Sequence, residues 1–278
     1  MSNSPPGDEE IRGLAERAVT DATAAWDQLL SAQQAVTRAL TDTRRRTTRA
    51  IPLKVRTALQ SFTRATARFS TATAVLAERW TAVNLPRIYQ LGAEEALRLA
   101  ALAAGQTRPD FTWHAEHQRT LKALTDAAHA VLVRRFTEVV RRCQAFTRAV
   151  TAAARRARDA SAAALLDRYR LGTVPYTDSR RHPAASWARA AFTAQSVTAA
   201  NAGALTAAAS DLGARWVQVT DGPDCGWSSH TDPDRAHHTM RSATQAAEHL
   251  IAHPGCRRAF VPRPDLNDQI DLEEGQSL

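Results

Sequence analysis

The chain has 278 residues, enough for one large or two ordinary domains, with 44% apolar residues but only 6% aromatic ones. Its 36 Lys and Arg against 28 Asp and Glu give a net charge of +8, yet residues 210–278 hold 6 basic and 11 acidic side chains, so a strongly basic body precedes an acidic end. The polar, acidic opening "MSNSPPGDEE" argues against a secretory signal, no apolar run approaches the ~20 residues that cross a bilayer, and three cysteines argue against a disulfide scaffold, so a soluble protein of a reducing cytoplasm is expected.

Ile11, Leu14, Ala18, Ala25, Leu29, Ala32, Val36 and Ala39 mark a weak apolar seam in a helix predicted over 8–48. The "RRRTTR" run at 44–49 lies just ahead of Pro52. Val55, Leu59, Phe62, Thr66, Phe69, Thr73, Leu76, Trp80 and Val83 then step by four and three, a heptad seam in a helix over 53–83. Pro86 separates it from a shorter helix at 87–104, which Gly105 and Pro109 close. A third seam, Leu132, Phe136, Val139, Cys143, Phe146, Val150, Ala153 and Ala157, runs through a helix over 114–170. Such seams pack on one another as antiparallel helices, or on another subunit.

The helix after residue 130 carries a second pattern. Arg134, Arg141, Arg148 and Arg155 recur every seven residues opposite the seam, flanked by Arg135, Arg142 and Arg156, with Glu138 the only acid between 134 and 158. A row of guanidinium groups along a helix can follow phosphates and release counterions. It is equally the solvated face that an amphipathic helix requires. No aromatic residues interleave it, which argues against stacking on single-stranded bases.

The character changes after Tyr169. A loop or short extended segment leads to a helix over 183–212 that stops at Gly213. "ARWVQVTDG" reads as a strand entering a turn at Asp221-Gly222-Pro223, "SATQAAEHL" as a short helix with Ser242 as N-cap, and "IAHPGCRRAF" as an extended return. The fold class expected is mainly α: long antiparallel amphipathic helices followed by a small C-terminal α+β module with a Cys/His turn pair. The boundaries expected are 1–170 for an elongated helical domain, 171–264 for the C-terminal domain and 265–278 for an acidic, disordered tail.

Cys225-x4-His230, 22 residues, and His253-x2-Cys256 make a two-plus-two pattern suited to a tetrahedral ion. A structural Zn2+ there would pin a module too small for a good core. The alternative is that His230 and His253 bond to turn backbones while the cysteines are simply buried. His237, His238 and His249 read as surface or packing residues. An enzyme would pair a cysteine with histidine and Asp221 or Asp224, or use Asp221, Asp232 or Asp234 to activate water on a metal. No oxyanion feature, helix-borne cysteine or glycine-rich phosphate loop accompanies them, and no catalytic activity is expected.

"DGPDCGWSSHTDPD…IAHPGCRRAF", preceded by "TAQSVTAANAG" and "RWVQVTDG", resembles the C-terminal domain of the phage Mu F-like head morphogenesis proteins, in the version found in phages of high-GC actinobacteria. Asp221, Gly222, Cys225, Gly226, His230, Asp232, His253, Pro254, Cys256 and Arg257 match its pattern, and Thr193, Asn201 and Gly203 match the preceding helix. The match spans roughly 170–264 and extends more loosely upstream through "WTAVNLPRIYQLGAEEALRLA" and "FTWHAEHQRTLKAL". Many relatives carry C-x2-C at the first turn and C-R-C at the second; here His230 and Arg258 stand at the second positions, and Phe192 replaces an arginine usual before the threonine. The resemblance implies a non-enzymatic minor capsid protein of a tailed bacteriophage. Its expected partners are the portal protein, the major capsid or scaffolding protein and, for some members, packaged double-stranded DNA, with no membrane. Its expected place is the host cytoplasm during procapsid assembly and the head interior near the portal vertex afterwards. The alternatives are a soluble DNA-binding protein with a zinc-stapled C-terminal module, and a metal-dependent or cysteine hydrolase.

Overall fold

The computed structural model describes residues 6–42, 50–156, 162–176, 180–268 and 273–276. The described residues are mainly helical, 69% helix against 8% strand, and the strands outside one short hairpin gather in a small C-terminal antiparallel sheet. The elements are α1 (Pro6–Thr41), α2 (Leu53–Arg79), a π-helical turn (Trp80–Asn84), α3 (Leu85–Ala104), α4 (Ala115–Arg156), α5 (Ala162–Arg168), β1 (Thr173–Pro175), β2 (Arg181–Pro183), α6 (Ala184–Ser210), β3 (Trp216–Thr220), β4 (Met240–Ser242), α7 (Ala243–Glu248), β5 (Ala259–Pro262) and a 3-10 turn (Pro264–Leu266). Among the described residues, no helix is long and apolar enough to cross a membrane. The 44–49 arginine run and Ala157 lie outside the described residues.

One compact unit comprises Met1–Arg17, Arg79–Ala128 and Arg189–Leu278, the other Ala18–Glu78 and His129–Ala188. Helices α1, α4 and α6, and α2 by its last residue, give residues to both, because a long amphipathic helix buries successive stretches of its stripe against different neighbours. The described residues near the end of the chain bond to β4. Met240 N–H donates to Gln276 O at 2.7 Å, Gly275 N–H to Met240 O at 2.8 Å, and Ser242 N–H to the Glu274 carboxylate at 3.0 Å.

In the unit formed by Ala18–Glu78 and His129–Ala188, the seam of α4 is buried from Leu132 through Phe136, Val139, Cys143 and Phe146 to Val150. Phe62 meets Phe146 at 5.2 Å between ring centroids and Phe69 meets Phe136 at 6.3 Å, so α2 and α4 run antiparallel. Trp26 lies against Phe69, Phe136 and Trp187. On α1 the buried row is Ala18, Ala22, Trp26, Leu29, Gln33, Val36 and Leu40, so the expected positions Ala25, Ala32 and Ala39 are the half-buried flank. Buried Gln33 donates to Tyr169 O at 2.8 Å, which satisfies a polar group in that row.

Apart from Thr66, where Ala65 takes the buried place, the α2 seam holds as far as Trp80 and then slips by one residue. Val83 is 61% exposed, while Asn84 and Leu85 are buried. Pro86 has no N–H to return to residue 82, and the turn ahead of it widens into a π turn, which lengthens the repeat. The helix expected to break at Pro86 therefore continues as α3 and ends at Gly105, whose φ of 63° makes a left-handed C-cap.

In the other unit, α3 and α6 cross at two glycines. A Cβ on Gly92 would sit 2.0 Å from Ala200 O, and one on Gly203 would sit 2.0 Å from Tyr89 O. Every residue from 201 to 208 on α6 is buried. The sheet, in the order β4-β3-β5, packs Val217, Val219 and Phe260 with Leu205, Ala208, Ala214, Trp227, Ala236 and Ala246. Ser242 caps α7, its hydroxyl accepting from Gln245 N.

Candidate functional site

Strand β3 delivers the chain into the first of two tight turns. Cys225 N–H donates to Gly222 O at 2.9 Å, and Gly226 faces Arg235 in an isolated bridge. A Cβ on Gly226 would meet Ser229 O and the Cβ of Asp232 at 2.4 Å, so only glycine fits there. Asp232 knits the loop by accepting from Ser228 N at 2.9 Å and Asp234 N at 3.0 Å, bonds that hold its carboxyl below the usual carboxylate range. The second turn, His253-Pro254-Gly255-Cys256, closes with Cys256 N–H donating to His253 O at 2.9 Å.

The turns bring three of the four expected ligands together. Cys225 Sγ lies 3.4 Å from His253 Nε2 and 3.9 Å from His230 Nδ1, and the ligand atoms of Cys225, His230 and His253 lie within 4.8 Å of one another, a group that can hold a metal ion. With ordinary metal–sulfur and metal–nitrogen lengths, a tetrahedral edge between the two atom types is about 3.6 Å, which the two distances bracket. Cys225 is buried, His253 half-buried and His230 exposed. Cys256 is turned away: its thiol faces the Asp221 carboxylate at 3.4 Å and its sulfur accepts from Ala252 N at 3.5 Å. A nucleophilic cysteine works as a thiolate. Burial, and next the Asp221 carboxylate, push the Cys225 thiol up instead.

Asp221 is committed to a residue that the matched pattern does not name. Arg258 is fully buried and donates from Nε to Asp221 Oδ2 at 3.0 Å, from Nη1 to Trp227 O at 2.9 Å and His249 O at 2.8 Å, and from Nη2 to Gly226 O at 2.9 Å. Its guanidinium also lies over the Trp227 ring, 4.6 Å from the centroid. Arg257, the matched arginine, is exposed. Asn201, on the buried side of α6, donates to Leu250 O at 2.8 Å and Arg258 O at 2.9 Å, joining the helix to the second turn. Gly222 N–H donates to Asp221 Oδ1 at 2.8 Å, Pro254 is exposed at its turn, and Thr193 lies half-buried further up α6. Asp234, another carboxylate considered for hydrolysis, accepts from buried Arg241 at 2.7 Å. His237 accepts from Asp221 N, and His249 packs on Trp227.

Arg134, Arg141, Arg148 and Arg155 are all exposed along α4. Arg135 and Arg142 are half-buried instead. Arg135 pairs with Glu138 at 2.8 Å and donates to Pro175 O, and Arg142 donates to Arg170 O. The row therefore separates into an outward line of four and an inward pair that fastens the β1–β2 hairpin region.

A second cluster was not anticipated. His114 Nε2 lies 2.7 Å from Asp211 Oδ1, and His117 Nε2 lies 3.2 Å from Asp211 Oδ2. Burial holds His117 below its ordinary value, opposed by the Asp211 carboxylate, and pushes Tyr89, whose hydroxyl is 2.9 Å from His117 Nδ1, up to about 12. The His114-x2-His117 spacing at a helix start was a visible signal; Asp211, 94 residues beyond His117, was not. Compared with models of protein families, with curated proteins and with solved structures, the chain matches none.

Proposed function

We propose that this chain is a minor capsid, or head morphogenesis, protein of a tailed bacteriophage, which joins the portal during procapsid assembly and touches packaged double-stranded DNA. One observation carries the reading. Residues matched to the Mu F-like pattern, far apart in sequence, are bonded into one module: Asn201 to the second turn, Asp221 to Cys256 and Arg258, and Cys225 to His230 and His253. A packed module is what a docking part requires. The exposed line of Arg134, Arg141, Arg148 and Arg155 supplies charge for a phosphate backbone.

The metal suited to a thiolate and two imidazoles is Zn2+, with Cys225, His230 and His253 as ligands and solvent in the fourth position. Bound there, it would fasten the two turns to each other. Ligation through His253 Nε2 places the ring proton on Nδ1, so the Gly255 N–H contact to Nδ1 at 3.2 Å must open when the ion enters.

Quantitative mass spectrometry of heads from the phage that encodes this chain tests the assembly role. A few copies per portal ring are expected, and loss of the chain on DNA release would add ejection. Absence from full and emptied heads and from procapsids would overturn the reading and favour a soluble DNA-binding protein. For the ion, full-length protein purified without chelator should carry zinc that Cys225→Ser removes; equal zinc in that variant would sink the assignment.

A further inference from the structure

We infer that His114, His117 and Asp211 form a second metal site, for a divalent transition ion of the borderline, imidazole-seeking class to which Zn2+ and Co2+ belong. The inference stands apart from the head-protein reading and from the Cys225 cluster. Two imidazole nitrogens and a carboxylate oxygen lie within 4.8 Å of one another. This donor set suits a three-ligand site whose remaining position goes to solvent.

The surroundings favour an ion. His117 has no exposed side-chain surface, and its Nδ1 is held at 2.9 Å by the hydroxyl of buried Tyr89. Such an outer partner fixes the ring and leaves Nε2 to the metal. Phe111 and Trp113 pack on the same ring, with centroids at 4.9 and 6.0 Å, and give it an apolar shell. His114 and Asp211 are 37% and 23% exposed, so an ion can reach the site and keep a water. A tetrahedral edge between nitrogen and oxygen ligands is about 3.3 Å. The His117–Asp211 distance of 3.2 Å already has that length, and the His114–Asp211 distance of 2.7 Å must open by about half an ångström. His114 Nδ1 accepts from Glu116 N at 3.3 Å; ligation through Nε2 gives up this long, exposed bond.

Filled, the site would clip the first turn of α4 to the residue that follows α6. Empty, it is a hydrogen-bonded clasp in which both Nε2–H groups donate to Asp211. The two states differ in metal content, so the test is direct. Full-length Cys225→Ser is titrated with Co2+ to silence the thiolate cluster. One saturable equivalent is expected, with ligand-field bands but no thiolate-to-cobalt charge transfer. Cys225→Ser/His114→Ala should lose that equivalent with unchanged far-UV dichroism, and Cys225→Ser/Tyr89→Phe should bind about 10–100-fold more weakly. No saturable uptake by Cys225→Ser, or equal uptake after His114→Ala, would overturn the inference. A wild-type protein that takes two equivalents upholds both sites; one equivalent without charge transfer upholds this site alone.

Discussion

Replacing Arg258 by methionine tests whether the C-terminal module hangs on one buried guanidinium. The substitution keeps most of the side-chain volume and deletes four hydrogen bonds. It strands the Asp221 carboxylate, which has no exposed surface, with Gly222 N–H and the Cys256 and Cys225 thiols as weaker remaining donors. Breaking a buried ion pair on one side costs about 3–5 kcal/mol. Each carbonyl of Gly226, Trp227 and His249 left dry adds about 1–3 kcal/mol, less where water enters. A loss of about 5 kcal/mol is comparable to the whole stability of many domains, and corresponds to a fall in melting temperature of roughly 10 °C or more. Urea unfolding followed by tryptophan emission, with proteolysis between residues 201 and 268 as a second readout, measures it. Exposed Arg257→Ala is the control, expected within about 0.5 kcal/mol of wild type. The Asp221→Leu/Arg258→Met pair should recover about 2 kcal/mol over Arg258→Met, since it removes the stranded charge but not the unpaired carbonyls. An Arg258→Met protein that unfolds at the wild-type midpoint, or an equally damaging Arg257→Ala, would show that the buried guanidinium does not hold the module.

Gly203→Ala drives a Cβ into the Tyr89 carbonyl at 2.0 Å, backbone against backbone, and should cost about 3 kcal/mol or more, whereas Gly13→Ala meets only the mobile end of Arg17 and should gain up to about 1 kcal/mol; urea midpoints compare them. Burial raises the Cys143 thiol from an ordinary value near 9.0 to about 11, so its contribution is complete below pH 9.0 and is lost as pH climbs toward 11. That loss is about 2–3 kcal/mol, and Cys143→Ala should show a flatter stability profile over the same window; identical slopes would refute the burial argument. Changing Arg134, Arg141, Arg148 and Arg155 together to glutamine should lower the slope of log K against log salt for duplex DNA by about 3–4, measured by anisotropy, while an unchanged slope would remove α4 from any DNA-facing role.

The α4 seam was legible because bulky residues occupy one helical phase and arginines the opposite one, which leaves no second choice of face. On α1, alanines stand in several phases, and Trp26, Gln33 and Leu40 were missed because alanine marks no face. The slip at Val83 was hidden because a heptad count assumes a constant repeat, and only the contact of Pro86 with the preceding turn breaks it. Ser242 as a cap, strand β3 and helix α6 follow from local chemistry and were readable. The turn pair was visible as spacing, but the orientation of Cys256 was not. That sulfur is claimed by Asp221, and the bond depends on how β3 and β5 lie side by side. For the same reason neighbouring arginines 257 and 258, indistinguishable in composition, part into an exposed and a buried one: alternation along the extended return sends them to opposite sides.

The last described residues have a consequence for the sheet they complete. Gly275 and Gln276 engage the N–H and carbonyl of Met240 on the outer side of β4. Among the described residues β5, against which α3 packs, is the other margin, where Pro262 has no N–H to offer and Pro264 follows directly. A neighbouring molecule cannot add a strand beside β4 without first prising off this terminal clasp.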